Sequence, residues 1–163
     1  MGSILYPLLV VFLLAGALAI NKTVSLGNTL PSSFVQATSD GQTFVSYCNA
    51  VATYLQQNPS FIGSVGLSVL KSVSGNIFPN NYGDSAGNNI SQIGTGVGRQ
   101  IVCYATLSTQ ALVQALQATS YDASYGVAAN GNWTSYANSV TSTLPSNTNV
   151  PNGAIVSVIQ VGP

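Results

Sequence analysis

Three cations and three carboxylates are all the ionic chemistry this 163-residue chain has to fold and work with: Lys22, Lys71 and Arg99 against Asp40, Asp84 and Asp122, with no Glu and no His. Charged residues make up 4% of it, where an ordinary soluble domain carries about 25%. Surface polarity therefore has to come from Ser, Thr, Asn and Gln, which wet a surface without titrating. Acid can neutralise only three carboxylates, so stability is expected to depend weakly on pH below neutrality. A net charge of zero also guards poorly against self-association, and such a surface is either covered, for instance by glycan, or made to associate. Nucleic acid is excluded as a partner, because three scattered cations cannot neutralise a row of phosphates. A hydrophobic content of 46% and a mean hydropathy of +0.35 suffice for the core of one domain.

Residues 4–20 form an apolar run without a charge, closed by Ala17, Leu18 and Ala19 in the small-x-small pattern of a signal-peptide cleavage site. Two readings follow: residues 1–19 are a cleaved signal peptide, or they are a retained hydrophobic helix that anchors in membrane or packs inside a polymer. On either reading the rest is exported, to the cell surface or the extracellular space. Three sequons point the same way, at Asn21, Asn89 and Asn132, as candidate glycosylation sites. The two cysteines, Cys48 and Cys103, allow one intramolecular disulfide, the natural state in an oxidising compartment. A loop of this size would contribute about 4 kcal/mol. Two Cys without His leave no zinc site, and no metal is expected.

The layout read from the sequence is a segment 1–19, an extended arm over 20–30 and one extracellular domain over 31–163. Residues 20–26 alternate apolar and polar side chains at strand period until Gly27 and Asn28. Ser39 and Gln42 read as a capping box opening a helix through Phe44, Tyr47, Cys48, Val51 and Leu55, which Asn58 and Pro59 stop. Residues 61–74 fit helix and strand equally. The Asn- and Gly-rich stretch 75–98 reads as a long loop, and 99–106 as a buried strand carrying Cys103. Ser108 caps a further helix through Leu112, Ala115 and Leu116. Trp133, Tyr136, Ala137 and Val140 suggest a short helix, and 153–161 is a strand apolar on both sides, expected centrally in a sheet. The predicted class is α+β.

No catalytic constellation emerges, and no enzyme activity or cofactor is expected. Without His or Glu, acid–base work would fall to Asp40, Asp84 and Asp122, which read as cap and turn residues. Ser68 and Lys71 have nucleophile–base spacing but no further basic group. The glycines at 94, 96 and 98 lack the Lys–Ser/Thr ending of a phosphate loop. Asn80, Asn81, Asp84, Asn88 and Asn89 offer oxygens to calcium with a single carboxylate among them, too little charge for useful affinity. Tyr121, Tyr125, Trp133 and Tyr136 could stack on sugars, though at these spacings aromatics more often build core or interface.

The uncharged apolar N-terminus, the charge-poor Ser/Thr/Asn-rich body, the sequons at Asn21, Asn89 and Asn132 and the apolar C-terminal strand together resemble surface-filament subunits of archaea, pilin-like or thread-like. The turn to strand chemistry after Ile20 favours the thread-like format. There the resemblance implies an N-terminal strand that completes a neighbour's sheet, with Ile20, Val24 and Leu26 as the contact arm and self-association into a homopolymer. The function expected is a structural subunit of an extracellular filament or coat, adhesive in use. Two alternatives stand beside it: a membrane-anchored surface or virion protein held by residues 4–20, and a small secreted module that binds glycans.

Overall fold

The computed structural model describes residues 31–96 and 98–162. Residues 1–30, and with them the signal or anchor segment and the arm residues Ile20, Asn21, Val24 and Leu26, lie outside the described residues. The chain divides into two compact units, residues 1–35 and 36–163. Of the first, the described part is one turn, in which the Phe34 and Val35 amides donate to the Pro31 carbonyl at 2.9 and 3.2 Å.

The second unit is α+β, as expected, with helices α1 (Ser32–Gln57, which begins in the first unit), α2 (Leu67–Ser74) and α3 (Thr109–Ala118) and strands β1 (Ala86–Gln92), β2 (Arg99–Ala105), β3 (Tyr125–Ala129), β4 (Asn132–Ser135), β5 (Thr141–Thr143) and β6 (Ile155–Val161). The strands form one sheet in the order β1-β2-β6-β3-β4-β5, antiparallel at every junction. The C-terminal strand thus sits centrally, as its two-sided apolar pattern predicts. Its alternate residues feed two clusters. Ile155 joins Ile90, Ile101, Cys103 and Tyr125 on the face covered by Phe44, Tyr47, Cys48 and Val51 of α1 and by Leu112 and Leu116 of α3. Val156 and Val158 join Val102, Ala128 and Leu144 on the opposite face. That second face is covered by the segment after β5, whose Thr148 Oγ1 accepts from the Asn89 amide at 2.7 Å.

The capped α3 and the strand at β2 fall where the sequence puts them, and Ser108 Oγ accepts from the Ala111 amide at 3.2 Å. Four expectations are corrected. Helix α1 starts at Ser32 rather than at a Ser39 cap; Ser39 is interior, and its carbonyl takes the Thr43 hydroxyl at 2.7 Å in the back-bonding that lets short polar side chains sit in a helix. The stretch 61–74 is both of its readings in turn. Gly63 pairs with Ile90 as an isolated bridge, and α2 follows until Gly75, whose φ of 74° closes it in the left-handed conformation glycine tolerates.

The supposed long loop 75–98 contains β1, because Ala86, Asn88 and Ile90 face the core in alternation while polar residues alternate with them. The helix expected around Trp133 is instead the hairpin β3–β4. Asn130 and Gly131, at φ 51° and 74°, make a two-residue turn between Ala129 and Asn132, the Asn-Gly pattern that matches strand twist.

Helix α1 crosses α3 closely at Gly41. A Cβ there would meet the Ala111 carbonyl oxygen at 2.5 Å and the Ala115 nitrogen at 2.9 Å. Only glycine lets the two backbones approach this far.

Candidate functional site

The most organised polar site lies inside the domain, where β1 meets the chain that leads into α2. Asn88 is buried with both amide protons and its oxygen engaged: Oδ1 accepts from the Val65 amide at 2.8 Å, and Nδ2 donates to the Val65 carbonyl at 2.9 Å and to the Tyr47 hydroxyl at 2.7 Å. The side-chain amide replaces a strand partner. It continues the ladder begun at Gly63 and Ile90, whose amides and carbonyls exchange two bonds of 2.8 Å. Tyr47, Phe78 and Tyr82 pack around it with ring centroids 5.4–5.9 Å apart. Burial, with smaller contributions from neighbouring ionisable groups, pushes the Tyr47, Tyr82 and Tyr125 hydroxyls well above the ordinary tyrosine range, and for Tyr47 the Asn88 hydrogen bond partly offsets it.

The two cysteines come together. Cys48 on α1 and Cys103 on β2 are completely buried in one cluster, near enough for Cys103 to raise the Cys48 thiol pKa. Both are free thiols here, so the expected disulfide is not formed in this structure. Cys103 stands opposite Ser157 in the β2–β6 register and Tyr125 opposite Ser157 in β3–β6. The buried Ser157 hydroxyl has no hydrogen-bond partner. Burial raises the Cys48 thiol pKa, reinforced by Cys103.

A third feature is an apolar recess of about 420 Å³ between the last turns of α1 and the ends of β2 and β6, lined by Ala52, Leu55, Pro59, Arg99 and Val161. Arg99 donates to the Gly98 carbonyl at 3.2 Å.

The other residues read from the sequence are dispersed. Asp40 accepts from Gln36 at 2.7 Å, Asp122 caps the Ser124 amide at 2.8 Å and Asp84 lies in a short 3-10 turn (Tyr82–Asp84). Ser68 is exposed on α2, while Lys71 is turned to the Asn80 side chain. The glycines 94 to 98 form the β1–β2 hairpin, closed by the Ile93 amide on the Gly98 carbonyl at 3.0 Å. Asn88 and Asn89 point to opposite faces of β1, which dissolves the calcium set; among the described residues no three His, Cys, Asp or Glu gather.

Of the sequons, Asn132 is half-buried beside the Asn130–Gly131 turn. Asn89 is buried and its amide is bonded to Thr148, so a glycan there would have to displace the covering segment. Of the four aromatics, Tyr125 is core and Trp133 packs on the second cluster, leaving Tyr121 and Tyr136 exposed at 56% and 54%. Among the described residues no helix is long and apolar enough to cross a membrane.

A family model named PilM matches residues 10–158. The chain belongs to the PilM family. That makes it a pilus-associated protein and supports the pilus side of the filament resemblance. A solved structure described as the protein PilM of Escherichia coli B7A superimposes with a TM-score of 0.55 at 19% identity, covering 81% of this chain and 98% of that one. At that identity the likeness is one of fold. Its bacterial source gives no support to the archaeal part of the resemblance. No curated protein matches the sequence.

Proposed function

We propose that this chain is an exported protein of a pilus system that acts by contact with other proteins, as a structural subunit packed in or on the filament, and not as an enzyme. The PilM family match over residues 10–158 carries the reading. Two physical features support it. A chain with 4% charged residues gives neighbours little charge to desolvate and little repulsion to overcome. The recess at Leu55 and Val161 offers apolar surface at the end of the sheet, of the kind that protein side chains fill.

The sheet edges bear on how neighbours join. The β1 edge is filled at Ile90 by Gly63 and at Asn88 by Val65, and the β5 edge runs over three residues. Strand exchange would therefore have to use β5 or displace residues 61–65, and packing of side chains between bodies is the simpler junction.

The test is to shear pili from producing cells and measure the chain in the filament and envelope fractions, for the natural sequence and for Val24→Asp. A fixed ratio of chain to filament is expected. Recovery in the envelope alone would overturn the subunit reading. Loss of Val24→Asp from filaments, with its body still folded, would assign the junction to the arm, because a buried unpaired carboxylate costs several kcal/mol. Normal incorporation would assign it to the body.

A further inference from the structure

We propose that Cys48 and Cys103 are a redox site: a disulfide between them staples α1 to the centre of the sheet, closed while the chain folds outside the cytoplasm and sealed from thiol chemistry afterwards. The compartment rests on the reading above; the sulfur geometry does not. The two cysteines are neighbours in the core, and the Cys103 side chain acts directly on the Cys48 thiol. One projects from the inward face of α1, the other from β2 on the helix-covered face, and both belong to the same buried cluster. Closure therefore joins two side chains that already share one buried cluster between α1 and the sheet.

Burial decides when it happens. Both side chains are 0% exposed, so no oxidant or reductant reaches them while α1 lies on the sheet. Burial also favours the neutral form of the Cys48 thiol, and thiol exchange needs the thiolate. Oxidation accordingly belongs to the folding chain. One cysteine thiolate attacks an exchangeable disulfide, either of a dithiol oxidant protein or of glutathione disulfide, giving a mixed disulfide and releasing a donor thiolate. The second cysteine thiolate then displaces the donor's remaining sulfur. One S–S bond forms and the donor's S–S bond breaks; the two protons lost by the cysteines pass through solvent to the donor's sulfurs, which carry the two electrons away as two thiols. Docking of α1 then covers the product.

The experiment refolds the full chain from denaturant with a mixture of glutathione and glutathione disulfide, then denatures it in iodoacetamide and weighs it. The expected species is lighter than the dithiol by two hydrogens and carries no carbamidomethyl group. In a second arm the chain is folded reduced and treated with iodoacetamide without denaturant, where labelling is expected to be at least about 100-fold slower than for the unfolded chain. Two carbamidomethyl groups on the oxidatively refolded protein, or labelling of the native dithiol at the unfolded rate, would overturn the site. A bond that closes in vitro while protein isolated from cells carries two thiols would leave the site standing and count against the export reading.

Discussion

Replacing Asn88 by Ala removes one side chain that serves three polar groups. The Val65 amide, the Val65 carbonyl and the Tyr47 hydroxyl each lose a bond of 2.7–2.9 Å inside a buried cluster. A buried group left without a partner costs about 1–3 kcal/mol. Tyr47 can turn its hydroxyl and water can reach part of the space vacated, so the sum falls short of three full penalties, at about 3 kcal/mol. For a chain of this length that is a fall in melting temperature of about 6–12 °C.

The loss is also local. Without the amide, residues 61–65 are held on β1 by the Gly63–Ile90 exchange, so the Val65 and Gly63 amides should exchange with solvent faster than those of β2 and β6. Urea unfolding followed by far-ultraviolet dichroism, with hydrogen exchange by mass spectrometry, reads both. A loss below about 1 kcal/mol with an unchanged urea slope, or protection of residues 61–65 equal to that of β2 and β6, would refute the argument that this amide substitutes for a strand partner.

Gly41→Ala should destabilise despite its better helix propensity: the gain of about 1 kcal/mol is outweighed by overpacking of about 1–3 kcal/mol against Ala111 and Ala115, and an unchanged or raised urea midpoint would refute the close α1–α3 approach. Alkali should unfold the protein. Cys48, Tyr47, Tyr82 and Tyr125 have folded pKa values above their unfolded ones, so the neutral forms are favoured by folding. Their contribution is complete below about pH 8.5 for the thiol and about pH 10 for the phenols, and is lost as pH rises beyond. Each adds a slope of about 1.4 kcal/mol per pH unit. A urea midpoint constant from pH 8 to pH 11 would contradict it, and the thiol's share should vanish in the oxidised protein.

What the sequence revealed of this fold, and what it hid, divides on one physical line. Elements whose apolar residues recur at a fixed period were legible: β2, α3 and β6 bury side chains against partners on one or both faces, and burial writes itself into periodicity. The elements misread are those where an amide does the work of an apolar side chain or of backbone. Asn88 and Asn89 look like loop residues because asparagine usually bonds its own backbone; here one completes a ladder and the other holds the segment over the opposite face. Ser39 looks like a cap for the same reason. The Asn130–Gly131 turn was readable, since Asn-Gly between two extended runs is a hairpin pattern, and the half-buried Trp133 drew the reading toward a helix instead.

The same line runs through the site. In a chain with 4% charge, amides, hydroxyls and thiols must do internally what ion pairs do elsewhere, and these groups carry no mark in sequence that separates a satisfied interior position from a solvated one. The shared burial of the two cysteines was legible, because each lies on the apolar face of its element. The Asn88 cluster was not, because its partners are a backbone peptide at Val65 and a hydroxyl at Tyr47, 23 and 41 residues away. A surface built of such groups can lie against a neighbouring subunit without leaving a charge unpaired, which is why scarcity of charge, read first as an exclusion, bears on assembly as well.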